Sequence, residues 1–566
     1  MKAKKAKLVA ICVLSLLLVI VSACSNSGSP SNGSTNNGNS GAVNNGDTGT
    51  DTGNKDDGEV IDPMGKIDPP VEITAIRPLD STTKFAEGES IENNAWNRLY
   101  EQEFGIKLKY LWVADTSQYD QKFNVAMVSG KLADIMPVNA IQFQQLVDAD
   151  QLEDLSEALE KYGTEKSKLL LEKDGGVGLD SATFNGKLLG LPLASSYTDN
   201  APLLWVRTDW LEKLGLPEPK TMDDVLAIAD AFVNQDPDNN GQKDTYGLGV
   251  EKLFYGAVPG LQGFFNSYHA YPEIWVKDDE GKLVYGSIQP EMKEALAKLQ
   301  QMYKDGLIDR EFGVKDAEKI FQAVNSGKMG MFYGLMYAPL LFQDGKTNDP
   351  NMDWKAFPLP SIDGEVAKPQ TPFTVGRYYV VRKGVKNPEA AVKMLNAFHY
   401  GWEDKYPPTE ITQDGDIEKW HYALVTGSNP TQNLDMYVKV TEGLEKNDTS
   451  GFDAPGQNVF YDSIVKFREG DMSGWGYTRV YDAQKLLYEY NQNNGYQMTE
   501  YIAGPTPTMV EKDSTLKKME LETFTKIVMG EASIDEFDDF VSDWKKLGGD
   551  VITEEVAAWH KSKNGN

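Results

Sequence analysis

The sharpest chemical pattern in the sequence is Asp236-Pro237-Asp238-Asn239-Asn240-Gly241-Gln242-Lys243-Asp244. Oxygen-bearing side chains fall at loop positions 1, 3, 5 and 9 (Asp236, Asp238, Asn240, Asp244), glycine at 6, and Gln242 offers a backbone carbonyl at 7. Those offsets let a tight loop turn several hard oxygens toward one hard cation, so a structural Ca2+ is expected here. Position 12 of a full EF-hand would be a bidentate Glu and is Gly247 in this chain, so the likeness is local. Without a metal, the same residues make a polar Asp/Asn/Gly turn.

Other chemistries find less support. The four histidines (His269, His399, His421, His560) include no HExxH and no close pair, which argues against a zinc hydrolase. No GxSxG and no P-loop is present. The two cysteines are Cys12 and Cys24, so no disulfide and no Cys-based zinc site is expected in the folded part. The net charge of −29 and the lack of a basic face make nucleic acid a poor partner. A glycoside hydrolase would need two carboxylates facing each other across a cleft, and with 85 acidic residues the sequence leaves that possibility open.

The N-terminus addresses compartment. Lys2, Lys4, Lys5 and Lys7 precede an apolar run over 8–20 that is shorter than the roughly 20 residues a membrane span needs. It ends in Val21-Ser22-Ala23-Cys24, which resembles the bacterial lipobox. The expectation is a lipoprotein signal peptide over 1–23, removed before a lipidated Cys24, so that the chain is anchored at the extracellular face of the cell membrane. An ordinary signal peptide containing a cysteine is the plainer alternative. Residues 25–57 are Ser, Asn, Gly, Thr and Asp with almost no apolar side chain, so 24–69 is expected to be a disordered tether.

The elements that would position a site follow. Val71–Ile76 alternates like an opening strand; Trp96, Leu99, Tyr100 and Phe104 make a helical stripe stopped at Gly105; Ile106–Leu111 is a second strand. An amphipathic stretch over Phe123–Val128 and a short buried strand over Asp134–Val138 complete a strand-helix-strand-helix-strand run, the pattern of a parallel α/β sheet. Thr221 reads as a helix N-cap with Asp224 at N3, and Val225, Ile228, Ala229 and Phe232 as the buried stripe behind it.

Several segments carry a family resemblance. Phe184–Pro192 (FNGKLLGLP) is similar to "NGKxYGxP", Trp205–Leu216 (WVRTDWLEKLGL) to "YRxDLxEKLGL", and Pro219–Asp224 (PKTMDD) to "PxTWDE". Ser326–Phe332 (SGKMGMF) matches "GKxAM", and Val385–Ala391 (VKNPEAA) matches "SKNPEAA". In this order they resemble the bacterial extracellular solute-binding proteins of the sugar-binding type that serve ABC importers, in particular the large Gram-positive lipoproteins that bind oligosaccharides. The resemblance implies an α/β, two-lobed periplasmic-binding-protein-like fold (type II) with the ligand cleft between lobes joined by hinge strands. Lobe 1 is expected over 70–203 plus about 372–430, and lobe 2 over 204–371 plus about 431–566. It also implies a monomer that catalyses nothing, captures a carbohydrate by closure and docks on ABC permease subunits. A secreted carbohydrate-active hydrolase and a sugar-binding surface sensor are the alternatives. Calcium loops in large polysaccharide-binding members look structural, which is the role expected at Asp236–Asp244.

A sugar offers apolar C–H faces and many hydroxyls, so its site should pair aromatic platforms with polar side chains. Loops at predicted strand ends supply the candidates. Asp80 follows the first strand, and Asn139 and Gln142 follow the Asp134–Val138 strand. Gly474-Trp475-Gly476-Tyr477 is a glycine-flanked aromatic pair, unusual for a core strand, and Gly376-Arg377-Tyr378 lies at the return toward the first lobe. The resemblance places a sugar-facing aromatic at Tyr337 and puts Trp205 and Arg207 near the cleft. Trp475 and Tyr337 are the expected stacking platforms, with Arg377 and Asn139 as polar contacts. Trp205 departs from the family's frequent Tyr, and Arg207 serves equally well as a buried structural ion pair.

Overall fold

The computed structural model describes residues 61–400 and 406–564. The expected signal peptide, the lipidation site Cys24 and most of the tether lie outside the described residues. The chain opens with β1 (Val71–Leu79), α1 (Ala95–Phe104), β2 (Ile106–Asp115), α2 (Thr116–Val128), β3 (Ile135–Val138) and α3 (Ala140–Asp148). The helix α1 buries Ala95, Trp96, Leu99, Tyr100 and Phe104, and the Asn94 side chain caps it by accepting from the Asn97 N–H. It starts directly after this cap because Asn94 offers a first-turn amide the partner it would otherwise lack. Gly105 ends it in the left-handed region at φ 67°. A Cβ there would come within 2.4 Å of the Ile67 carbonyl oxygen, so both backbone conformation and space require glycine.

β1 pairs in parallel with β2 and with β3, as two strand-helix-strand crossovers dictate. The return strand Val375–Val381 then inserts antiparallel between β3 and the Leu191–Ala194 strand, giving one mixed five-stranded sheet. A second sheet of four strands runs in the order Trp354–Phe357, Leu203–Arg207, Met329–Gly334, Tyr246–Gly249. Every residue of its two central strands is buried, as expected for strands covered by helices on both faces. Met222–Asn234 is one covering helix: Thr221 and Asp224 form a capping box, and Val225, Ile228, Ala229 and Phe232 face the core.

Each sheet organises its own core. The first draws on Ile73–Ala194 and Val375–Val425. The second, in two adjoining clusters, draws on Ala201–Ala367 and Leu434–Val556. The backbone therefore changes core three times, near residues 195–200, 368–374 and 426–433. The C-terminal part, irregular in sequence, is mostly helical, with Gln432–Lys446, Pro455–Arg468, Trp475–Gln492, Pro507–Met529 and Asp550–Asn564 as its long elements. Among the described residues no helix is long and apolar enough to cross a membrane.

Candidate functional site

The carboxyl ends of β1, β2 and β3 and the start of the return strand share one edge of the first sheet, where ligands of α/β proteins collect. Asp80 stands there exposed. Its Oδ1 accepts from the Thr82 amide at 2.8 Å and the Thr82 hydroxyl at 2.6 Å, and these bonds hold its carboxyl below the usual range. Asn139 is the N-cap of α3: its Oδ1 accepts from Gln142 N–H at 3.0 Å, while Gln142 Oε1 accepts from Asn139 N–H at 3.2 Å. Gln142 is 2% exposed, and its amide donates to Asp120 and Asn124, at 3.1 and 3.3 Å. The expectation that Gln142 faces a ligand is corrected: its hydrogen-bonding capacity is spent on starting the helix and tying it to α2. Arg377 is half-buried on the return strand, beside Leu193 in register and close enough to Tyr119 to act on its hydroxyl.

On the second lobe, Tyr337 is half-buried just beyond the Met329–Gly334 strand, and burial raises its hydroxyl pKa. Trp475 is not a surface platform. Gly474–Tyr477 is a helix start, not a loop, and Trp475 is wholly buried with its indole N–H donating to Asp353 Oδ1 at 2.7 Å. Arg479 grips the same carboxylate at 2.9 and 2.7 Å. The glycines that set the segment apart in sequence serve close helix packing; a Cβ on Gly474 would meet the Ser463 carbonyl at 2.0 Å. Tyr477 packs edge-to-face on Phe460 at 5.1 Å between helices and remains half-buried. Trp205 is corrected likewise: it is fully buried and stacks against Phe332. Arg207 is 2% exposed, makes bonds of 2.8 and 2.6 Å to Asp209, and lies 4.5 Å from the Trp210 ring centroid. That is the structural ion pair, so Arg207 too is removed from the ligand set.

The junction of the lobes holds a cavity of about 220 Å³ that no local sequence pattern announced. Trp275, Tyr285 and Trp544 form its aromatic wall: Trp275 and Tyr285 face each other across the Trp275–Lys277/Leu283–Tyr285 hairpin, and Tyr285 stacks on Trp544 at 5.1 Å and 7°. Phe373, on the crossing segment that leads into the return strand, and Tyr501 add to the apolar lining. The polar lining includes Glu273, Asp513 and Lys517. Lys517 Nζ is 3.1 Å from Asp513 and 3.9 Å from Glu273. Burial opposes the charge on Lys517, but the two carboxylates outweigh it and raise its pKa. Burial raises Glu273. Deeper still, Glu520 is pushed up to about 8 by burial and by Glu273, with the Tyr255 hydroxyl donating to it at 2.9 Å. The irregular segment 499–505 closes one side. Tyr501, Ala503 and Pro505 line this cavity, Met498 and Ile502 line a smaller space shared with Asp174, Val177 and Tyr197 of the opposite side, and Thr499 lines both. Gly504 lies against Ala140 at the start of α3, where a Cβ would meet Ala140 backbone at 2.9 Å. The second lobe thus touches the first beside Asn139.

The Asp236–Asp244 loop connects Met222–Asn234 to Tyr246–Gly249 in the second lobe. Asp236 accepts from the amides of Asn240 and Gly241, both at 3.0 Å. The Asn240 amide group donates to Asp238 at 2.7 Å and Asp244 at 2.9 Å, so two carboxylates converge on one electropositive point. Asp238 Oδ1 is buried without a partner, and burial together with Asp236 raises its pKa. Asp244 also pairs with Lys328 at 2.9 Å. Among the described residues no three or more His, Cys, Asp or Glu side chains already surround a common point. The orphaned Asp238 oxygen and the converging carboxylates nevertheless suit a small hard cation.

Two α/β lobes, three crossings and an aromatic cavity where the lobes meet define a solute-binding protein of the periplasmic-binding type. The chain belongs to the family of bacterial extracellular solute-binding proteins, whose model matches residues 82–398. It is 27% identical over 473 residues to lipoprotein LipO of Bacillus subtilis, covering 81% of this chain and 87% of LipO. It is 23% identical over 474 residues to the polygalacturonan/rhamnogalacturonan-binding protein YtcQ of the same organism, covering 79% of this chain and 84% of YtcQ. A solved HMO-binding, ABC-transporter-associated solute-binding protein from Bifidobacterium longum infantis shares the fold. Its TM-score is 0.56 at 18% identity, covering 88% of this chain and 99% of that one.

Proposed function

We propose that this protein captures a carbohydrate between its lobes outside the cell and delivers it, unaltered, to the permease subunits of an ABC importer. The observation that carries the reading is the cavity at the lobe junction, where Trp275, Tyr285, Tyr501 and Phe373 stand beside Glu273, Asp513 and Lys517. Flat rings cover the C–H faces of a sugar, and paired charged groups accept and donate to its hydroxyls. Phe373 and Pro372 come from a crossing segment, so a ligand here would contact the chain that links the two lobes. Differential contact with the closed state is what lets a ligand shift the equilibrium toward it. Asp80, Asn139 and Arg377 on the first lobe and Tyr337 on the second are proposed to flank the cleft. The names of YtcQ and of the Bifidobacterium protein support a saccharide ligand. The lipid anchor at Cys24, placement at the outer membrane face and action as a monomer belong to the same proposal.

No covalent step is assigned to the protein. Calorimetric titration with a panel of oligosaccharides, followed by chromatography of the recovered sugar, tests the reading. Micromolar or tighter binding with the sugar intact is expected, whereas cleaved sugar would turn the reading toward a hydrolase. We further propose that Asp236, Asp238, Asn240, Asp244 and the Gln242 carbonyl hold a structural Ca2+ that pins the helix-to-strand turn of the second lobe. A bound divalent cation would neutralise carboxylates that now repel one another.

A further inference from the structure

We propose that the cavity at the lobe junction selects an uncharged saccharide and rejects a uronate; the proposal rests on the carbohydrate reading above and narrows it. Lys517 is the one cation among the described residues that line the cavity, and it is already shared by Asp513 at 3.1 Å and Glu273 at 3.9 Å. With Glu273 and Asp513 ionised, the lining therefore carries one more negative charge than positive; Glu520, wholly buried behind Glu273 and holding its proton below about pH 8, adds none. A sugar carboxylate would be brought beside two acids with no cation left to meet it, in a partly desolvated space where Coulomb repulsion is strong.

Three largely buried arginines outside the cavity are engaged within their own lobes. Arg77 donates to the carbonyls of Tyr422 and His421, both at 2.7 Å. Arg207 is held by Asp209, and Arg479 by Asp353 and Asp482. Arg377 stands on the first lobe's edge, but that edge also carries Asp80 and Asp115. Carboxylate recognition commonly uses a guanidinium fork in bidentate contact, and among the described residues that line the cavity there is no arginine. Hydroxyls meet the opposite situation, since each carboxylate accepts from an O–H and Lys517 donates to its oxygen. Because YtcQ is named for polygalacturonan, charge is a dimension along which this chain and a relative of similar size are open to divergence.

The test is calorimetric titration of the chain with kestose, maltotriose, xylotriose and galactotriose against trigalacturonate, at low ionic strength. The expected result is that at least one neutral trisaccharide binds a hundredfold or more tighter than trigalacturonate. The Glu273→Gln/Asp513→Asn double variant should narrow that ratio at least tenfold, chiefly by improving trigalacturonate. Lys517→Gln should widen it, which keeps the test alive if the double variant folds poorly; circular dichroism melts report on folding of both. Trigalacturonate binding as tightly as the best neutral sugar overturns this inference while leaving the carbohydrate reading intact. A ratio unmoved by either variant overturns the assignment of selectivity to this cavity. Failure of every sugar to bind overturns the carbohydrate reading and this inference with it.

Discussion

Trp475 and Trp275 are both almost entirely covered, at 0% and 5% exposure, yet they belong to different kinds of site. Around Trp475 every strong polar partner is internal: its N–H meets Asp353, and Asp353 meets Arg479. Around Trp275 the rings border open volume, and the charged groups Glu273, Asp513 and Lys517 line the same space. An aromatic cluster becomes a binding wall when its packing leaves a ring face over a void and polar groups reach that void. Exposure of the residue alone does not distinguish the two.

This contrast is sharpened by matched substitutions. Trp475→Ala should cost the most, about 3–5 kcal/mol, since it opens a large cavity in the core and strips Asp353 of a donor. Thermal unfolding would show it, with ligand affinity unchanged at temperatures where the variant is folded. Trp275→Phe keeps much of the apolar volume and should lower affinity about tenfold, of the size expected for one stacking contact, with a smaller loss of stability. Equal effects of Trp475→Phe and Trp275→Phe on affinity would erase the distinction.

Smaller effects concern the acid cluster and the loop. Glu520 is protonated in the folded state up to about pH 8, whereas it ionises in the unfolded chain near 4.5. Between those values the unfolded state has lost a proton that the folded state keeps, so this group's contribution to stability falls as pH rises. Glu520→Gln should therefore raise the melting temperature at pH 7 and flatten its decline between about pH 5 and 8. A steeper decline in the variant would contradict the assignment. For the loop, adding Ca2+ in place of EDTA should raise the melting temperature by a few degrees, as a ligand bound only by the folded state must. Asp238→Ala should abolish that rise.

Legibility followed locality. The strand-helix-strand opening could be read because Trp96, Leu99, Tyr100 and Phe104 keep helical spacing and Gly105 stops them within a few residues. The Thr221 cap and the stripe behind it were likewise contained in one turn and one helix. The sheet's mixed character was hidden because its antiparallel member, Val375–Val381, lies far along the chain from β3. The cavity was hidden for the same reason: its walls come from 273–285, 372–373, 499–517 and 544–552, and each piece alone looks like ordinary core. Trp475 misled because glycine on both sides resembles a loop, while here the glycines permit helix 475–492 to start against its neighbours.

If the two lobes close on a saccharide to capture it, an inter-lobe distance must change when the sugar binds. Val128 on the first lobe and Val314 on the second are 89% and 80% exposed, so labels at Val128→Cys and Val314→Cys should leave both cores intact. Pulsed electron–electron resonance would follow that distance while the tightest-binding trisaccharide is titrated in. One distance population should be replaced by another, with the same midpoint as the calorimetric heat. A distance distribution unchanged at saturating sugar would contradict it.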